Sequence, residues 1–372
     1  MSDIFDDLDY AYIEFYVGMA KMVTYWHVKA LGFELKGFMG PETGNPDTVS
    51  FLIEKGNVRF VITSAASPSN FDVLSFVDRH GNGVSKIAYA VNDVKAAYET
   101  AVDRGGIPIG EIQRQENELG YVEEASIRLL ARKEICFFDN SNYNGLFRPG
   151  FEPLEIAGFT PDFDNGFLFI DHIAYGLHVN EMEYWSNYFQ NIFGGEVVQD
   201  LKPGDVITEY SGLLLRLLRS PNQKLMNVFV EPENRSRPSQ VQEYLEAYYG
   251  SGIQHMAFAS DNIFETVVHM RRTGVEFVQY PAAYYTLMRE AGKVPADLID
   301  KLEAHNILCD ASDDGAYLFQ TFTKPFGDRP TFFYEVIQRT AGYEGFALQN
   351  ITQLFKAVER EQALRIKAKQ EG

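Results

Sequence analysis

Three side chains in this 372-residue sequence are of types, and in settings, that suit metal chemistry. Glu335 lies inside an apolar, aromatic run, Phe332-Phe333-Tyr334-Glu335-Val336-Ile337, that reads as a buried strand. An ionised carboxylate in such a place needs a cation or a metal beside it, because desolvation without a partner is costly. His172, in Phe169-Ile170-Asp171-His172-Ile173-Ala174, and His255, in Ile253-Gln254-His255-Met256-Ala257-Phe258, sit in similar runs. The spacings are 83 residues (172 to 255) and 80 residues (255 to 335). Two histidines and one carboxylate on three strands make the facial triad of a non-haem Fe(II) oxygenase, with metal positions left open for substrate and O2. A lone histidine on an apolar strand is more often a satisfied core residue, so it is the combination that points to a metal. His27, His80, His178, His269 and His305 lack this context and read as surface or structural.

The elements that must position these residues form a repeat. The first half opens with a strand-like alternation at Tyr12–Val17 and a helix through Tyr25-Trp26 that ends near Leu31-Gly32. Strand-like runs follow at Thr48–Ile53, Val58–Thr63 and Gly81–Val91, then a helix from an Asn92/Asp93 cap to Arg104-Gly105-Gly106. The second half answers in order: Ile170–Tyr175, a helix with Tyr184-Trp185 ending at Gly194-Gly195, and Gly250–Phe258. The halves join near Pro149-Gly150-Phe151-Glu152-Pro153, giving domains of 1–153 and 154–372. Aligned this way, His255 matches Lys86, His172 matches Tyr12 or Ile13, and Glu335 falls near Ile135 or Cys136. The N-terminal half has the shape without the ligands, which leaves it a structural or oligomer-forming role.

Composition narrows the partners. The net charge of −19 argues against nucleic acid and anionic membrane. No apolar run approaches the roughly 20 residues that span a bilayer, and the acidic start, Asp3-Ile4-Phe5-Asp6-Asp7, is unlike a secretory signal. Two cysteines, Cys136 and Cys309, make neither a disulfide framework nor a zinc-thiolate pair, so a reducing cytoplasm is expected.

Leu318–Pro325, Asp328-Arg329-Pro330-Thr331, Phe333–Arg339 and Ala357–Gln362, with the two histidine strands, resemble the 4-hydroxyphenylpyruvate dioxygenase family, which includes hydroxymandelate synthase. The resemblance covers essentially the whole chain. It implies an α+β vicinal-oxygen-chelate fold of paired βαβββ modules in each domain, with Fe(II) held by His172, His255 and Glu335 in a C-terminal half-open barrel. It also implies a 2-oxo acid that chelates the metal and serves as its own co-substrate with O2, and a homodimer or tetramer. Gln240, Gln254 and Gln320 match glutamines of the substrate pocket, and Phe322 and Phe346 match aromatics that wall it. A C-terminal amphipathic helix from Asn350 to about Lys367 matches a lid.

Some positions depart from the homogentisate-forming members. Those carry a pocket serine where this chain has Leu215, and a proline and an asparagine where it has Val228 and Val230. Ile351 replaces a phenylalanine on the lid helix, as in hydroxymandelate synthases. A smaller lid residue and a more apolar wall imply that the benzylic carbon, rather than the ring, is hydroxylated. Homogentisate formation, a less polar 2-oxo acid such as phenylpyruvate or an aliphatic one, and a non-enzymatic binding module of the same fold are the alternatives.

Overall fold

The structure is a computed structural model that describes residues 3–208, 211–340, 342–343, 345 and 350–352. Seventeen strands and eight α-helices are described. The first half contains β1 (Asp9–Tyr16), α1 (Ala20–Leu31), β2 (Glu34–Met39), β3 (Thr48–Lys55), β4 (Val58–Ala65) and α2 (Phe71–His80). It continues with β5 (Gly83–Ala90), α3 (Val94–Asp103), β6 (Pro108–Asn117), β7 (Gly120–Leu129), β8 (Lys133–Asp139) and the two-residue β9 (Glu152–Pro153). The second half contains β10 (Phe167–Gly176), α4 (Met182–Phe193), β11 (Glu196–Ile207), β12 (Ser211–Arg219), β13 (Met226–Asn234) and α5 (Gln240–Tyr248). It then runs through β14 (Gly252–Ser260), α6 (Ile263–Arg272), α7 (Ala282–Ala291), α8 (Ala296–His305), β15 (Leu308–Ala311), β16 (Tyr317–Phe322) and β17 (Phe333–Arg339). Each half is thus two βαβββ modules.

The first nine strands make one sheet in the order β6-β7-β8-β5-β1-β4-β3-β2-β9, and the rest make a second in the order β11-β12-β13-β10-β14-β17-β16-β15. In both sheets the two module-opening strands pair antiparallel at the centre (β1 with β5, β10 with β14), and each is flanked by a parallel partner. Local chemistry sets the helix ends. The Asp93 side chain accepts from Ala96 N–H, Ser239 from Gln242 N–H and Asn262 from Glu265 N–H. Helix α1 stops at Gly32, whose φ of 71° is the left-handed conformation that glycine adopts without penalty.

The stretch around Pro149–Pro153 is no free linker. Phe151 is buried, and Glu152 and Pro153 pair with Phe38 and Gly37 on β2, so the chain crosses between the sheets only after residue 153. Proline is tolerated there because β9 is an edge strand.

One hydrophobic core runs through both halves. Phe33 stacks on Phe60 with centroids 5.0 Å apart, and Phe33 meets Phe258 of the second half at 6.0 Å. His27 on α1 lies in this cluster, fully buried, with Nε2 2.7 Å from the Tyr334 hydroxyl on β17. His80 is also buried, stacked on Tyr248 and bonded to its carbonyl. Both histidines are therefore structural, and both lie where the halves meet.

Candidate metal centre

The sheet registers explain how distant residues converge. On β10 and β14, Ala174 lies opposite His255 and His172 opposite Ala257, while Ala257 also lies opposite Glu335 on β17. The three side chains project from three adjacent strands onto the concave face. Their ligand atoms all lie within 4.8 Å of one another, a group able to hold a metal ion. Glu335 Oε2 is 3.0 Å from His172 Nε2 and 3.6 Å from His255 Nε2.

Two β-bulges prepare the imidazoles. Ile170 faces Phe258 and His172 faces Ala257, which leaves Asp171 as an extra residue on β10. Ala174 faces His255 and Tyr175 faces Ile253, which leaves Gln254 as an extra residue on β14. A bulge of this kind re-aims a side chain that regular alternation would send to the opposite face. Asp171 Oδ1 consequently accepts a bond from His172 Nδ1 at 2.9 Å, and Gln254 Oε1 lies 3.3 Å from His255 Nδ1. With both Nδ1 atoms engaged, both Nε2 atoms are left for the common centre. The Phe333 ring stacks on His255, with centroids 4.9 Å apart and planes 18° from parallel.

Electrostatics suit a cation. Burial and the neighbouring His172 hold His255 well below the usual histidine range, so it stays neutral with a free lone pair. Burial also pushes His172 down, but the Glu335 carboxylate and Asp171 outweigh it and raise the ring to about 9. Burial raises Glu335, opposed in part by His172. The carboxylates thus retain a positive charge at the centre, the place a divalent cation would take. Burial raises Asp171 too, but the His172 bond and the Arg339 guanidinium reverse this and hold its carboxyl well below the carboxylate range. The donor set of two imidazole nitrogens and one carboxylate fits a metal.

Beside the triad is a cavity of about 60 Å³ whose walls include Gln240, Gln254 and Gln320. The apolar part of the wall includes Leu215, Val228, Val230, Phe322 and Ile351. Gln254 Nε2 reaches Gln240 Oε1 at 3.4 Å, so two of the glutamines are linked. Gln240 begins α5 behind the Ser239 cap. Leu213, Val241 and Phe333 also line the cavity and had no signal beyond their hydrophobicity. Asp171 and Arg339 were missed as well, although one directly precedes a ligand and the other closes the Glu335 strand. Phe346 lies outside the described residues, and of the lid helix only 350–352 are described.

The first half repeats the geometry with other side chains. Glu14 lies opposite Lys86, Tyr12 opposite Ala88, and Ala88 opposite Cys136. Tyr12, Lys86 and Cys136 therefore occupy the positions of His172, His255 and Glu335. Around them Arg148 bonds Glu124 at 3.1 Å, and Lys86 Nζ lies 3.5 Å from Glu134. Ammonium and guanidinium groups occupy this space in place of ligands.

Among the described residues no helix is long and apolar enough to cross a membrane. The family model of the glyoxalase, bleomycin resistance protein and dioxygenase superfamily matches residues 169–295. The 4-hydroxyphenylpyruvate dioxygenase of Yarrowia lipolytica is 35% identical over 368 residues, which is 96% of this chain and 92% of that protein. The 4-hydroxyphenylpyruvate dioxygenase of Dictyostelium discoideum is 33% identical over 366 residues, covering 95% and 98%. Among solved structures, a triple mutant of 4-hydroxymandelate synthase from Streptomyces coelicolor superposes with a TM-score of 0.83 at 28% identity, covering 95% of this chain and 98% of that one. With its converging triad and full-length relatives, the chain belongs to the 4-hydroxyphenylpyruvate dioxygenase family, metal-dependent dioxygenases of the vicinal-oxygen-chelate fold.

Proposed function

We propose that this enzyme binds Fe(II) through His172, His255 and Glu335 and uses O2 to convert an arylpyruvate, such as 4-hydroxyphenylpyruvate, into CO2 and the 2-hydroxy acid one carbon shorter. One oxygen atom enters the new carboxylate and the other the benzylic hydroxyl, so the reaction balances without a further reductant. When bound, the iron supplies open positions for a 2-oxo acid and O2 and couples loss of CO2 to hydroxylation. The chain's own residues do the rest. Two neutral imidazoles and one carboxylate leave a net positive charge at a divalent centre, which attracts the 2-oxo acid. Gln240, Gln254 and Gln320 offer amide donors and acceptors that orient the substrate. The apolar walls exclude water from the reacting carbon.

The observation that carries side-chain over ring hydroxylation is the wall of Leu215, Val228, Val230 and Ile351 beside the triad. Ile351 is smaller than phenylalanine and lets the ring sit away from the metal, which exposes the benzylic carbon. Incubation with 4-hydroxyphenylpyruvate, Fe(II) and O2, with mass spectrometry of the product, tests this: hydroxymandelate is expected, and homogentisate alone overturns it. The same wall favours a second reading, a 2-oxo acid without a ring hydroxyl. Among the described residues, the polar lining side chains outside the triad are the three glutamines, and a hydroxyl that none of them meets is costly to bury. O2 uptake compared between phenylpyruvate and 4-hydroxyphenylpyruvate separates the two.

Residues 154–372 form the catalytic domain in this reading, and 1–153 a structural one that carries oligomer contacts. Exposed Met19, Met22, Phe71 and Leu74 on or beside α1 and α2 support this, and light scattering that gives a monomer would exclude it. Buried, free Cys136 and Cys309 accord with a cytoplasmic setting.

A further inference from the structure

Arg339 closes β17, four residues after Glu335. Its guanidinium grips Asp171 with two bonds, Nε to Oδ2 at 3.0 Å and Nη2 to Oδ1 at 3.1 Å. A third bond runs from Nη1 to the Gly345 carbonyl at 2.8 Å. Asp171 Oδ1 also accepts from His172 Nδ1. The Asp171 side chain is 4% exposed, and a carboxylate so buried is tolerated only with partners of this quality.

The first half supplies an internal control. It has a bulge at the same place, between Tyr10 and Tyr12, yet the residue it releases is Ala11. Four residues beyond Cys136, where Arg339 would stand, is Asn140. The bulge occurs in both halves, but the Asp–Arg pair occurs only in the half that has a histidine to orient. The pair is therefore not something the fold itself requires.

We propose that Asp171 and Arg339 are positioning residues for His172, and that they make the two imidazole ligands unequal. This rests on the reading of the triad as a metal site. The carboxylate holds the proton on Nδ1, aims the Nε2 lone pair at the centre, and enriches the ring in electron density. His255 receives only the neutral Gln254 amide, at the longer 3.3 Å. His172 is the strong donor and His255 the weak one. Arg339 fixes Asp171 by a planar two-bond fork that lysine does not reproduce. Its third bond, to the Gly345 carbonyl, adds a backbone anchor that holds the guanidinium in place.

The test uses the full chain, stripped of metal and titrated with Co(II) without oxygen, following the visible d–d bands and the dissociation constant. Asp171→Asn keeps an acceptor and loses the charge. It is expected to weaken Co(II) binding by about 10–100-fold and to shift the bands. Gln254→Leu is expected to weaken binding less. Arg339→Lys, which retains a cation and protects the fold, is expected to fall between wild type and Asp171→Asn. Binding within about threefold of wild type and unchanged bands in all three variants overturns the relay alone. A wild-type chain that takes up no Co(II) overturns the metal site, and the relay with it.

Discussion

Lowering the pH tests the contact that holds the Glu335 strand against the other half. His27 is fully buried on α1, with Nδ1 2.8 Å from the Val23 carbonyl and Nε2 2.7 Å from the Tyr334 hydroxyl. A carbonyl only accepts, so Nδ1 carries the proton and Nε2 accepts from the Tyr334 O–H. The neutral ring is fully satisfied, and a second proton would cost it the Tyr334 bond. Burial pushes the ring down to about 4, with the Val23 bond pulling weakly the other way. The unfolded chain takes up this proton near pH 6.5 and the folded chain only near pH 4, so the stability is fully present above about 6.5 and is lost as the pH falls. Between about pH 7.5 and about pH 4.5 the loss from this ring is about 2.5 kcal/mol, at about 1.36 kcal/mol for each pH unit of the window crossed. The assay compares urea unfolding of the metal-free wild type and His27→Gln across that range. Taking the difference between the two proteins cancels the carboxylates and the other histidines. Glutamine keeps polar groups in the site and does not titrate, so the wild type is expected to lead at neutral pH and its lead to shrink by about 2.5 kcal/mol in acid. A constant lead refutes the reasoning, because His27 would then bind protons equally in both states.

Other perturbations reach the remaining parts of the molecule. Metal analysis of the purified chain is expected to give one divalent ion per chain, and His172→Ala or Glu335→Ala to abolish it, because Tyr12, Lys86 and Cys136 offer no second centre. Ile351→Phe, which fills the cavity wall, is expected to move product from hydroxymandelate towards homogentisate, read by mass spectrometry. Arg148 is half-buried, pairs with the half-buried Glu124 at 3.1 Å, and lies over the Phe147 ring at 4.7 Å. Arg148→Met strands the Glu124 carboxylate and is expected to cost about 3–5 kcal/mol in denaturant unfolding, much of it recovered when Glu124→Leu is added.

The triad was legible in the sequence because it breaks a strong local rule. A carboxylate between Tyr334 and Val336, in a run with no adjacent cation, is hard to explain without a metal. Helix limits were legible at Asp93 and Gly32 because capping and left-handed turns are decided by the residue itself. What was hidden depends on pairing across space. His27 and His80 read only as surface or structural, since the partners that bury them, Tyr334 and Tyr248, belong to the other half.

Asp171 and Gln254 were hidden for a subtler reason. Strand alternation of period two sends neighbours to opposite faces, so a residue next to an inward histidine should point away from the metal. Only a count across the β10–β14 pair reveals the two extra residues, and that count is a property of the sheet. The first half carries bulges at the same places, which release Ala11 and Ser85. The backbone device thus serves both halves, and the side chain placed on it decides what it does. Once the repeat is recognised, an acid or amide directly before each histidine, set against alanine and serine in the other copy, distinguishes a half built to hold a metal from one built only to fold.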